Sequence, residues 1–215
     1  PSGHPDGWHS HPAYKRALLE ILDRACAIEY PPPAEMRGRA IVIAASAKSG
    51  RSSGKNLEHG HFPGAWATIK ELRRLGCNLP ICLSYLGFEE FDPALERLVE
   101  PLGVSTFNLR WLDWHGDSMR ILAGWETKIF AIQNCIYEEV LFLDGDNIPV
   151  RDPTYLFDDP AYRAHGAMFW PDLPPNSRAE WLPKEVWDSI GMHKQPEYID
   201  FESGQLLINK RVCWK

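Results

Sequence analysis

The chain has 215 residues, 44% of them apolar, with 23 Lys and Arg against 29 Asp and Glu and a formal net charge of −6. That length holds one sizeable core or two small ones. The mildly acidic balance argues against non-specific nucleic-acid binding and against attraction to acidic membrane surfaces. Apolar runs such as Ala40 to Ala47 fall far short of the roughly 20 residues that a bilayer-spanning helix needs, so no membrane span is expected within the chain.

The sequence opens on Pro1-Ser-Gly-His4 rather than Met and carries no apolar leader, so its start is expected to be processed or cut from something longer, with any anchor upstream. His4 to His11 holds three histidines among Gly, Pro and Ser and reads as a solvated tail. From Ala13, the residues Ala17, Leu18, Ile21, Leu22, Ala25 and Ile28 recur at helical spacing, and Pro31 to Pro33 stop that helix. Residues 1–33 are therefore an expected tail and helix ahead of one domain over 34–215.

An apolar run at Ala40 to Ala45 predicts a strand, a helical pattern through Ile69, Leu72 and Leu75 ends at Gly76, and Ile81 to Leu86 predicts the next strand. Asp92-Pro93 supplies an N-cap and a first-turn proline for a helix bearing Leu95, Leu98, Val99 and Leu102, which Gly103 releases into a strand at Val104 to Leu109. A further helix is expected to carry Trp125, Ile129, Ile132 and Ile136 on one face and to feed the strand Val140 to Leu143. Strands are also expected at Ala167 to Phe169 and at Leu206 to Asn209, the second with a sharp entry that Gly204 permits. Short apolar strands alternating with helices predict an α/β fold with a mostly parallel, Rossmann-like sheet flanked by helices. Ligands of such sheets bind at the carboxyl ends of the strands, which makes Ala45 and Ser46, at the end of the first strand, candidate cofactor contacts.

Five cysteines, Cys26, Cys77, Cys82, Cys135 and Cys213, include no C-x-x-C pair, so neither a zinc knuckle nor a disulfide framework is expected. Cys26, Cys82 and Cys135 sit in apolar patterns and read as small buried hydrophobes; a single disulfide, and with it the redox compartment, stays open.

The segment Val140-Leu-Phe-Leu-Asp144-Gly-Asp146-Asn147 runs a buried strand straight into two carboxylates. Side chains two apart on an extended segment point the same way, and Gly145 removes bulk between them. Two like charges held close repel unless a cation neutralises them, and oxygen ligands suit Mg²⁺ or Mn²⁺. Asp144 and Asp146 are thus candidate metal ligands, and Gly145 and Asn147 candidate cofactor contacts; the alternative is an Asp-Gly turn that merely caps the strand. Lys128, near the start of the preceding helix, is a candidate for binding an anion. Asp200-Phe-Glu202-Ser-Gly-Gln205 clusters polar groups just before a strand, either lining a site through Glu202 and Gln205 or forming a plain turn. Trp170-Pro171-Asp172 offers an aromatic platform beside a carboxylate, suited to a sugar ring, or else a packed Trp.

Gly124-Trp-Glu-Thr-Lys128-Ile-Phe-Ala-Ile-Gln133, Phe142-Leu-Asp144-Gly-Asp146-Asn147-Ile-Pro149, Pro153-Thr-Tyr-Leu-Phe157 and Glu202-Ser-Gly-Gln205 through Asn209-Lys210 together resemble the fungal α-1,3-mannosyltransferase family of GT-A glycosyltransferases. Leu72-Arg-Arg-Leu-Gly76-Cys-Asn-Leu-Pro80 resembles its early segment, so the likeness runs from about Gly38 to Lys210. It implies a nucleotide-sugar donor of the GDP-mannose type, Mn²⁺ (or Mg²⁺), a glycan acceptor, retention of anomeric configuration and a membrane-tethered place in the Golgi lumen. In that chemistry Asp146, assisted by Asp144, would hold the ion, Lys128 would meet the diphosphate, and Glu202, Gln205 and Asp172 would face the sugar as candidate catalytic residues. Two departures are visible: the Ala47 to His61 connection is longer than the family's first loop, and the GT-A fold implied is C-terminally incomplete at Lys215. The alternatives are a haloacid-dehalogenase-like phosphatase, in which the first aspartate attacks phosphorus, and a glycosyltransferase-like module that binds nucleotide or glycan without turnover. A P-loop at Gly50 to Asn56 is one residue short and has Asn56 where a hydroxyl belongs.

Overall fold

The computed structural model describes residues 16, 19–20, 36–45, 60–87, 91–111, 126–172, 188 and 201–213. The expectations for His4 to His11, Cys26, Ser46, the P-loop-like stretch, the 47–59 connection and Trp125 lie outside them. Arg16, Leu19 and Glu20 are helical, within the helix expected from Ala13. Two compact units divide the chain, one of Pro32–Phe169 with Ser203–Lys215 and one of Pro1–Pro31 with Trp170–Glu202.

Strands β1 (Arg39–Ala44), β2 (Ile81–Tyr85), β3 (Val104–Asn108), β4 (Glu139–Asp144), β5 (Ala167–Pro171) and β6 (Phe201–Asn209) form one sheet in the order β3-β2-β1-β4-β6-β5, and all but Trp170–Pro171 of β5 and Phe201–Glu202 of β6 belongs to the larger unit. β1 pairs in parallel with β2 and with β4, β2 pairs in parallel with β3, and β4 pairs antiparallel with β6. The sheet is thus mostly parallel, as the alternation of strands and helices predicted, with β4 in its interior. Val42, Cys82, Val140, Phe142 and Leu206 form one buried cluster with Leu109, Ala131, Ile132 and Cys135. Alternate residues Ile41, Ile43, Leu83 and Leu141 are buried on the other side. Burial on both faces is why β1 and β4 read as continuous apolar runs rather than alternating ones.

The helices are α1 (Phe62–Arg74), α2 (Pro93–Val99), α3 (Glu126–Asn134), α4 (Pro160–His165) and the short α5 (Lys210–Cys213). α1 carries Pro63 in its first turn and buries Phe62, Ala65, Thr68, Ile69 and Leu72 at helical spacing; Gly76, at φ 86°, lets the chain turn out of it. Asp92 caps α2 through the Ala94 N–H at 2.7 Å, as expected. The expected continuation to Leu102 tightens instead into a 3₁₀ turn over Glu100–Leu102, because Pro101 has no N–H to give the carbonyl four residues back.

One sequence expectation changes here and one alternative is decided. The buried stripe of α3 is not the one set by its isoleucines: Ile129 is 58% exposed and Ile136, beyond the helix end, 73%, while Ala131, Ile132 and Cys135 are buried. Lys128 stands at the i−3 and i−4 positions of that stripe, with its side chain only 15% exposed. For Glu202 to Gln205 the turn, one of their two readings, does not form; they are part of the nine-residue β6, of which Gln205–Asn209 pair with Glu139–Leu143 of β4. Gly and Ser resemble turn formers in a sequence, whereas here Gly204 is a buried strand position.

Candidate functional site

Reading along the sheet, the chain leaves β1 for β2 and β3 on one side and reaches β4 on the other, so the reversal of strand order falls between β1 and β4. Open α/β sheets part their loops at such a point and bind ligands there, beyond the carboxyl ends of the strands. Ala44 is the register partner of Asp144 at that place, and Ala45, buried, follows with its N–H donated to Ser84 O at 3.1 Å. The acidic pair thus stands at the reversal, beside the end of β1.

Asp144 follows Phe142 by two and shares its face, the one covered by α3. Lys128 Nζ donates to Asp144 Oδ2 at 2.6 Å and to Ser203 Oγ at 3.2 Å, and lies 5.9 Å from the centre of the Phe142 ring. Ser203 O is 3.4 Å from the same nitrogen. The lysine expected near an anion therefore binds the first aspartate of the acidic motif. Ser203 is a contact that sequence reasoning gave no role; the stripe Lys128, Ala131, Ile132, Cys135 is the signal that points Lys128 inward.

Beyond Asp144 the chain turns at once, with Asn147 N–H donating to Asp144 O at 3.0 Å. Thr68 of α1, fully buried, donates its hydroxyl toward Gly145 O at 3.0 Å and Asn147 O at 3.2 Å. Asn147 Nδ2 donates to Gly204 O and so ties the turn to β6. Gly145 permits a close approach, but of protein: a Cβ there would meet His61 O at 3.3 Å, and one on Gly64 would lie 2.9 Å from Gly145 O. The first turn of α1 is pressed against the acidic turn, its partial positive end beside the carboxylates. Asp146, exposed at the tip, stands in no ion pair with another described residue.

The remaining candidates divide between the two units. Gln205 is the register partner of Leu143 and shares its face, opposite to that of Asp144. Its side chain lines a cavity of about 210 Å³ with Leu141, Leu143, Asn147 and Tyr155, against whose ring Arg151 stacks at 3.6 Å. Asp172 and Glu202 are partly buried, each engaged in interactions of its own, and belong to the smaller unit.

No group of three or more His, Cys, Asp and Glu side chains able to hold a metal occurs among the described residues. Two carboxylates at a turn still fit a hard divalent ion of the Mg²⁺ type, which keeps waters and takes further oxygens from a substrate phosphate. Cys77, Cys82, Cys135 and Cys213 are free thiols; Cys82 and Cys135 are buried as their apolar settings predicted, and Cys77 is buried as well. Among the described residues, no helix is long and apolar enough to cross a membrane.

Among solved structures, the chain is similar to the galactosyltransferase LgtC in complex with donor and acceptor sugar analogues, at 17% identity and a TM-score of 0.44, over 79% of this chain and 57% of that one. Among curated proteins it is 32% identical over 119 residues to alpha-1,2-mannosyltransferase MNN21 of Candida albicans, covering 50% of this chain and 18% of that protein. It is 27% identical over 110 residues to alpha-1,2-mannosyltransferase MNN2 of the same organism, with the same coverage. The chain thus spans about a fifth of the length of these relatives. Their printed linkage is α-1,2, so the mannosyltransferase part of the resemblance is supported and its α-1,3 part is not. The family described as "Mannosyltransferase putative" matches residues 53–187, more than half of the chain, and the chain belongs to that mannosyltransferase family.

Proposed function

We propose that this chain is the donor-binding part of a GT-A glycosyltransferase that moves mannose from GDP-mannose to a glycan acceptor with retention of anomeric configuration. The observation that carries the reading is the Asp144-Gly-Asp146 turn at the reversal of strand order, with Lys128 beside it. Family membership sets the phosphatase alternative aside. For the linkage, the names of the two relatives favour α-1,2 over the α-1,3 of the sequence resemblance. Their fungal source supports a place in the secretory pathway, and the compartment the resemblance implies is the Golgi lumen.

Departure of the nucleoside diphosphate concentrates negative charge on its phosphates. A divalent ion, Mn²⁺ or Mg²⁺, held by Asp146 with Asp144 assisting, supplies Lewis-acid stabilisation of that charge when bound. Lys128 adds a positive group on the same side, and Asn147 and Thr68 hold the turn that presents both carboxylates. Ala45, with the adjoining Ser46, is the nucleotide contact offered by β1.

The test is release of GDP from GDP-mannose with and without a mannoside acceptor. We expect acceptor-stimulated, Mn²⁺-dependent release that falls by about 100-fold or more in Asp146→Asn, with an unchanged unfolding transition. Binding of GDP-mannose without release under any acceptor makes the chain a binding module. Absence of GDP binding in the presence of Mn²⁺ overturns the donor site altogether.

A further inference from the structure

We propose that Lys128 is a built-in counter-ion for Asp144, and that a divalent cation and a nucleoside diphosphate consequently bind this site interdependently, each weakly alone. The inference rests on the donor-site reading above and adds a role for the Lys128–Asp144–Ser203 contact.

A lysine that only decorated the helix would not be held in this way. Lys128 projects from the sheet-facing stripe of α3, and its ammonium is fixed by Asp144 Oδ2 at 2.6 Å, Ser203 Oγ at 3.2 Å and Ser203 O at 3.4 Å, above the Phe142 ring. The Lys128 side chain is 15% exposed and that of Asp144 29%, so the pair is mostly covered yet still reached by solvent. Charge-assisted contacts at that distance are among the stronger hydrogen bonds. Asp146, two residues on, is exposed and has no such partner among the described residues.

The two carboxylates are therefore inequivalent. A divalent cation arriving alone finds one free carboxylate, and an ammonium in contact with the other that repels it and already occupies one oxygen. No third acidic, His or Cys side chain among the described residues joins them to compensate. A diphosphate arriving alone meets Lys128 already neutralised and a second carboxylate that repels it. Arriving together, the diphosphate offers oxygens to the ammonium and to the cation, so the ammonium is drawn from Asp144 as the cation takes its place. Coupling of this kind is reciprocal: the factor by which GDP tightens the cation is the factor by which the cation tightens GDP.

The experiment titrates the 215-residue chain with Mn²⁺ by electron paramagnetic resonance and with GDP by calorimetry, each ligand alone and each in the presence of the other. In the parent, Mn²⁺ should bind about tenfold or more tightly with GDP present. In Lys128→Met, Mn²⁺ alone should bind several-fold more tightly than in the parent, GDP alone about tenfold more weakly, and the coupling should shrink toward unity. Lys128→Arg keeps the charge and should keep most of the coupling. Should Lys128→Met fail to fold, Ser203→Ala, which leaves the ion pair but removes one of its supports, should move Mn²⁺ affinity in the same direction by about twofold. Equal Mn²⁺ affinity with and without GDP in the parent, or weaker Mn²⁺ binding in Lys128→Met, overturns the counter-ion role while leaving the donor site standing. Failure of the parent to bind either ligand, even when both are supplied, overturns the donor site and this inference with it.

Discussion

The two ends of β4 carry acids in equal number and treat them in opposite ways. At the amino end, Glu139 accepts from Arg39 Nε at 3.1 Å, the same guanidinium reaches Asp158 at 3.0 Å, and Glu138 accepts from Arg211 at 2.9 Å. Lys210, 3% exposed, donates there to the carbonyls of Cys135 and Gln133, the orphan acceptors at the end of α3. Charge is closed on itself and the backbone is capped. At the carboxyl end, Asp144 shares one lysine with Ser203, Asp146 has no ion-pair partner among the described residues, and two glycines let a helix press against the turn. One end is built to hold the sheet, and the other carries the proposed donor site. Substitutions at the first should be read out in stability, and at the second in binding with stability unmoved.

The largest stability effect is expected at Lys210. Lys210→Met keeps the volume but takes the donor from one buried and one part-buried carbonyl, and the cost should be about 3 kcal/mol in urea unfolding. Burial already pushes the Lys210 ammonium below its ordinary pKa, with the Cys135 thiol opposing. A loss under about 1 kcal/mol would mean that the amino end is not capped through this residue. By contrast Asp146→Asn, at the other end, should leave the unfolding midpoint in place.

A second effect, of about 2 kcal/mol, is a pH dependence of stability that arises in the core between the two ends. Burial raises the Cys82 thiol from 9.0 to about 11, and burial also raises Cys135. Between those values the unfolded chain has lost the Cys82 proton and the folded chain keeps it, so stability falls as pH rises from about 9 to about 11. Lys210, lowered by burial, acts in the opposite sense below 10.5, so Lys210→Met should steepen the alkaline loss. Unfolding midpoints of the parent and of Cys82→Ala at pH 8.5 and pH 10.5 test this. A slope unchanged by Cys82→Ala would remove the thiol as its cause.

What the sequence makes legible follows the same division. β1, β2, β4 and α1 are set by apolar periodicity and by Gly and Pro at their ends, and they lie where that pattern puts them. The acidic turn is legible because two carboxylates behind an apolar strand have few structural uses. Lys210 gives no signal, since nothing local marks a lysine whose partners are 75 and 77 residues away. Gly204 misleads because glycine in a strand interior resembles a turn until its neighbour β4 is known. Gln205 appears beside the acidic motif in any list of polar residues, yet the two-residue period of β4 and β6 turns it to the opposite face from Asp144.

The smallest effect tests the stripe of α3 on which the inward position of Lys128 depends. The sequence reading buried Ile129, because isoleucines at 129, 132 and 136 draw the eye to one side of the helix. A stripe through 128, 131, 132 and 135 is rotated from that one by about 100°, the angle of one residue, and it puts Ile129 toward solvent at 58% exposure. Ile129→Glu should then change stability by no more than about 0.5 kcal/mol, the range of a surface substitution. The new carboxylate lies near the N-terminal end of α3, where negative charge is mildly favourable, so even the small residual should not be a loss. A cost above about 2 kcal/mol would put Ile129 back in the core. Lys128 would then turn away from the sheet, and the Asp144 contact would have to be given up along with the counter-ion role.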